Sequence, residues 1–120
     1  MSKTIPDLFK SGGCAICYGE LSDDQAVEIA ILAQILTSLN PMADTDPQSL
    51  ISSGSCYGCY GSSLYEILKL SLLSQISKAH NPSNPTDPQS LMTAGKCYAC
   101  YSSASMARVM ELALLAQIAN

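Results

Sequence analysis

Residues 46–60 read DPQSLISSGSCYGCY and residues 87–101 read DPQSLMTAGKCYACY. Two such stretches in one chain mean that the fold has to be read as a repeat. A more divergent copy, TIPDLFKSGGCAICY, occupies residues 4–18. First cysteines at 14, 56 and 97 give a period of 42 and then 41 residues, within the range of helical repeats. The register holds without gaps: Thr4, Asp46 and Asp87 coincide, as do Leu8, Leu50 and Leu91, and Gly12, Gly54 and Gly95.

Downstream of each Cys pair a long apolar segment ends in Ala33-Gln34-Ile35, Ser74-Gln75-Ile76 or Ala116-Gln117-Ile118. Twelve residues before each glutamine stands a serine, Ser22, Ser63 or Ser105. The gap from the second cysteine to that serine is five, four and five residues, a variation that loops absorb and helices do not. Each unit therefore reads as two helices. The first opens on an acid that caps the helix and a proline at its first position, Asp46-Pro47 or Asp87-Pro88, with Thr4-Ile5-Pro6-Asp7 doing the equivalent in the first copy. The second opens on the capping-box spacings Ser22-x-x-Gln25 and Ser63-x-x-Glu66, while Ser105-x-x-Arg108 lacks the reciprocal acceptor. Short turn-rich links, 41–45 and 82–86, join the units, and no segment alternates apolar and polar residues with strand periodicity. The expectation is an all-α fold, one domain over 1–120 built from three tandem αα-hairpins at 4–40, 46–81 and 87–120, six helices in all.

Along the second helices Leu64, Ile67, Leu68 and Leu72 form a stripe, matched by Met106, Val109, Met110, Ala113 and Leu114 and by Ala26, Val27, Ala30 and Ile31. Such a stripe is expected to face a core. Leu70 and Leu73 lie off it, which predicts a helix buried on much of its circumference, as in a stacked array. Gln34, Gln75 and Gln117 fall within the apolar arc, and buried amides need partners, so each is expected to bond backbone groups of a neighbouring turn. The alternative is a glutamine partly in solvent at a helix end.

Ten acidic and six scattered basic residues, net charge −4, argue against nucleic acid and anionic membrane surfaces as partners. Only 13% of residues are charged against a usual figure of about 25%, while 48% are hydrophobic. Surplus apolar surface of this kind predicts an oligomer or a subunit of a larger assembly. MSKTIPDLFK lacks the apolar core of a signal peptide, so synthesis in a cytoplasm is expected, where thiols stay reduced.

Three uses of the cysteines compete. Cys14, Cys17, Cys56, Cys59, Cys97 and Cys100 could hold a metal, but a four-thiolate site would strand one pair, and His80 is the sole histidine. Thiol–disulfide exchange calls for a depressed thiol pKa in a strand-rich setting, whereas these pairs are expected near helix ends. The favoured reading makes each cysteine a small apolar spacer between close helices, with Tyr18, Tyr60 and Tyr101 covering the joint. No phosphate loop, nucleophile elbow or carboxylate pair marks a catalytic residue, and no cofactor is expected.

The succession Asp-Pro-Gln-Ser-Leu, Cys-Tyr-x-Cys-Tyr and a helix ending Leu-Leu-x-Gln-Ile resembles a repeat in small proteins of tailed bacteriophages and prophages, often encoded near virion genes. The first copy departs from it with Cys-Ala-Ile-Cys. The resemblance implies a non-enzymatic structural subunit of a virion, in a tail, baseplate, connector or head-decoration assembly, meeting other virion proteins or copies of itself after synthesis in the host cytoplasm. A cytoplasmic helical-repeat adaptor and a Cys-x-x-Cys metal or thiol module are the alternatives.

Overall fold

The computed structural model describes residues 21–101 and 104–120, and among them the chain is helical with no strand. Six helices follow one another: α1 Asp23–Leu39, α2 Pro47–Ser53, α3 Ser55–Gly58, α4 Leu64–His80, α5 Pro88–Tyr101 and α6 Met106–Ala119. The opening helix expected over the first copy falls in 1–20, outside the described residues.

Helix starts lie where the caps predict. The Asp46 carboxylate accepts from the backbone amides of Gln48 and Ser49, with Pro47 in the first turn, where a missing N–H leaves no bond unmade. Asp87 accepts from the amide and hydroxyl of Ser90. Ser22 and Ser63 form full capping boxes with Gln25 and Glu66, whereas Ser105 accepts from the Arg108 amide alone.

One expected helix is broken. In the second copy the chain leaves helical geometry at Gly54 (φ −98°, ψ 9°), so α2 and the single turn α3 replace what is the continuous α5 in the third copy. The difference is local. Ser52-Ser53-Gly54-Ser55 consists of poor helix formers, and the Ser53 hydroxyl bonds the Leu50 carbonyl (3.2 Å), whereas Thr93-Ala94-Gly95-Lys96 includes alanine and lysine. The shorter link to α4 turns at Gly61, whose φ of +87° is left-handed.

The long helices set the packing. α4 lies between α1 and α6, α2 and α3 rest on α4, and α5 rests on α6. Counting each second helix from its cap serine, the preceding helix presents positions seven and ten and the following helix presents five, nine and thirteen. Ile29 and Leu32 of α1 thus join Leu68, Leu72 and Ile76 of α4 in one apolar cluster. Leu70 and Leu73 of α4 join Met110, Leu114 and Ile118 of α6 in a second cluster. α4 is consequently buried on two sides, as its off-stripe leucines predict. α4 and α6 run parallel, since Lys69 meets Glu111 near their starts and Ser77 meets Gln117 near their ends.

Two members of the expected stripes, Met106 at the start of α6 (51% exposed) and Ile31 of α1, do not reach the core. Ala26 and Ala30 of α1 are buried, but Ile31 is 38% exposed. Position nine is covered in α4 and α6 by the preceding long helix, and α1 has none before it among the described residues.

Candidate functional site

The turn that carries the second Cys pair is ordered the opposite way from the spacer reading. Cys56 and Cys59 are both exposed, while Tyr57 between them is 3% exposed. α3 is a single helical turn, so residues three apart share its outer side and the intervening tyrosine points in. The Tyr57 hydroxyl donates to the Thr86 carbonyl (2.6 Å) and meets the Ser74 hydroxyl, which in turn donates to the Leu70 carbonyl (2.7 Å). Burial raises the Tyr57 pKa above the usual tyrosine range, so the hydroxyl stays protonated and available as a donor. Tyr57 therefore ties α3 to α4 and to the link before α5. Tyr60 is half-buried and packs against the same apolar cluster.

Close helix approach is made by glycine in place of cysteine. A Cβ on Gly54 would stand 2.9 Å from the Ile67 carbonyl oxygen, and one on Gly95 would stand 2.7 Å from that of Val109. Ile67 and Val109 are both four residues after their cap serines, so the two hairpins cross at the same point. A thiol is too large for that crossing, and the cysteines two residues later are turned outward in α3.

The three glutamines part company. Gln34 is exposed. The half-buried Gln75 donates at 3.5 Å to the hydroxyl of Ser71, one turn earlier on its own helix. Gln117 accepts a 2.8 Å hydrogen bond from Ser77, a fully buried serine of α4. Asn84 completes that site by donating to the Ser77 hydroxyl (2.9 Å) and carbonyl (3.1 Å). Side chains, in place of the expected backbone groups, are the partners in both bonds. Cys14, Cys17 and Tyr18 lie outside the described residues, as do the side chains of Cys97, Cys100 and Tyr101.

Beside the turn lies a cavity of about 610 Å³, bordered by Cys56, Tyr57, Ser71, Gln75, Lys78 and Asp87 among others. Its hydroxyls are largely spent on one another: Ser53 and Ser71 meet at 2.7 Å, and Ser74 is held by Tyr57 and Leu70. Among the described residues no three His, Cys, Asp or Glu side chains gather as metal ligands. The arrangement offers two accessible thiols beside a recess whose lining is more apolar than polar.

Sequence reasoning missed a partly buried ionic cluster. Lys69 of α4 is 15% exposed and pairs with Glu28 of α1 (2.8 Å) and Glu111 of α6 (2.6 Å). All three stand six residues after their cap serines, so one repeat position carries Glu, Lys and Glu in successive copies. That alternation was visible in the aligned sequence. Tyr65 donates to Glu28, accepts from Lys69 (3.2 Å) and lies under the ammonium, 5.5 Å from ring centre. Burial alone would lower the Lys69 pKa, but Glu111, Glu28 and Tyr65 together raise it above the usual lysine range.

At the outer edges large apolar side chains stay open: Ile31, Ile35 and Leu39 along α1, Met42 after it, and Met106 and Leu115 on α6. Ile31, Ile35 and Leu39 recur every four residues and form one row. Among the described residues no helix is long and apolar enough to cross a membrane. No protein-family model matches the chain, and no curated protein or solved structure matches it significantly.

Proposed function

We propose that this chain is a non-enzymatic structural subunit of a phage virion, part of a tail, baseplate, connector or head-decoration assembly. It acts through apolar contacts with copies of itself or with other virion proteins. The observation that carries this reading is the row Ile31, Ile35 and Leu39 with Met42, at 38, 42, 52 and 90% exposure, on a chain with little charge to keep such a row solvated. The phage setting rests on the resemblance of the Cys-Tyr-x-Cys-Tyr repeat.

Mass spectrometry of purified particles tests the proposal. Peptides of this chain should be present at a fixed ratio to the major virion proteins. Their absence from particles, with the protein abundant in the infected-cell lysate, would overturn it.

A second reading draws on the exposure of Cys56 and Cys59, which suits a thiol or metal module. Elemental analysis of protein purified under reductant separates the two, since bound zinc or iron in stoichiometric amount supports the module and a metal-free protein supports the subunit.

A further inference from the structure

The row on α1 has a counterpart at the other end of the molecule. In both internal joints the following helix contributes positions five, nine and thirteen after its cap serine, and the preceding helix contributes positions seven and ten. On α1, positions five, nine and thirteen are Val27, Ile31 and Ile35, the last two 38% and 42% exposed. On α6, positions seven and ten are Leu112 and Leu115, the latter 41% exposed. Each end thus displays, unused, one half of a joint that the molecule makes twice within itself.

From this we infer that a second copy of the chain is the partner of these edges, its α1 docking on α6 of the first in continuation of the internal joints. The inference rests on the reading of the protein as a subunit held by apolar contacts, and names the partner. Because the two surfaces are different, the contact is head-to-tail, and it propagates into a ring or a helical filament in place of a closed dimer. Both Glu28 and Glu111 reach the ammonium of Lys69, so α1, α4 and α6 share one ionic contact at the same repeat position.

The new joint differs from the internal ones in charge. Position six would bring Glu111 of one copy towards Glu28 of the next with no lysine between them; the cation on that edge is Arg108, 3.1 Å from Glu111 and on the same face as Leu112 and Leu115, and position two of α1 is Asp24 in place of Tyr65.

Light scattering on the reduced 120-residue chain provides the test. Wild type should give masses that are multiples of 12.7 kDa, rising with concentration. Ile35→Glu blocks one edge and Leu115→Glu the other, at exposed positions outside both apolar clusters. Each variant alone should stay monomeric, and an equimolar mixture should form a species of twice the chain mass, joined through the one intact pair of edges. A wild-type monomer at all concentrations would overturn the inference. A dimer that survives in either variant alone would overturn it as well. Neither result bears on whether particles contain the chain, which the composition of particles decides.

Discussion

Gly54 and Gly95 each meet a backbone carbonyl where two helices cross, and this makes the sign of a substitution informative. An alanine in a helix interior ordinarily stabilises relative to glycine by about 1 kcal/mol. At Gly95 the added methyl would press on the Val109 carbonyl, so Gly95→Ala is expected to destabilise by about 1–3 kcal/mol, read as a lower urea midpoint. A midpoint that rises would mean the crossing is looser than 2.7 Å implies. Tyr57→Phe removes the donor to Thr86 while keeping the buried ring, and should cost about 1 kcal/mol in the same assay. Cys56→Ser and Cys59→Ser alter exposed side chains and should leave the midpoint within about 0.5 kcal/mol of wild type.

Helix boundaries in this chain are fixed by their first residues. Removing both bonds of a complete box, Ser63→Ala with Glu66→Ala, should cost more than the about 1 kcal/mol of Ser105→Ala, whose helix has no reciprocal bond to lose. Comparative thermal melts of the two variants would show the difference. α5 adds a pH dependence. The Ser90 hydroxyl and amide hold Asp87 below the usual aspartate pKa. A lowered carboxylate pKa stabilises fully above the unfolded value, near 3.9, and the contribution is lost as pH falls through the lower folded value. Asp87→Asn should therefore flatten the acid side of the stability profile while leaving its alkaline side unchanged. The break at Gly54 belongs to this scale too, since three serines around one glycine supply too little helix propensity to carry the helix through.

Across the molecule, the Glu28–Lys69–Glu111 cluster is the polar element that spans all three long helices. With Lys69 and Glu111 at 15% and 13% exposure and Glu28 at 40%, removing Lys69 leaves Glu28 without its cation and Glu111 with only the exposed Arg108, 3.1 Å away, in a partly dry site. Lys69→Met is expected to cost about 2 kcal/mol, between the values for exposed and buried pairs. Adding Glu28→Gln and Glu111→Gln should recover most of that loss, because the neutral triple variant buries no unpaired charge. The raised lysine pKa sets the pH window: the stabilisation is complete below the unfolded lysine value, near 10.4, and is lost as pH climbs through the higher folded one. The difference in urea midpoint between wild type and Lys69→Met should thus hold steady up to about pH 10 and shrink above it. A difference that changes between pH 7 and 9 would assign the stabilisation elsewhere.

What the sequence determined by itself is what depends on neighbours along the chain. Asp-Pro starts, serine caps, the absence of strand periodicity and the two-sided apolarity of Leu64–His80 made the all-α class and the helix boundaries legible, because a cap or a stripe acts within one or two turns. Tertiary structure alone decided which small residue fills a helix crossing. Glycine and cysteine recur with equal regularity, and only the inward turn of Tyr57 shows that Gly54 lies in the joint and Cys56 on the surface. It also decided that Lys69 serves both Glu28 and Glu111, since a shared repeat position becomes an ionic contact only when parallel helices pack in register.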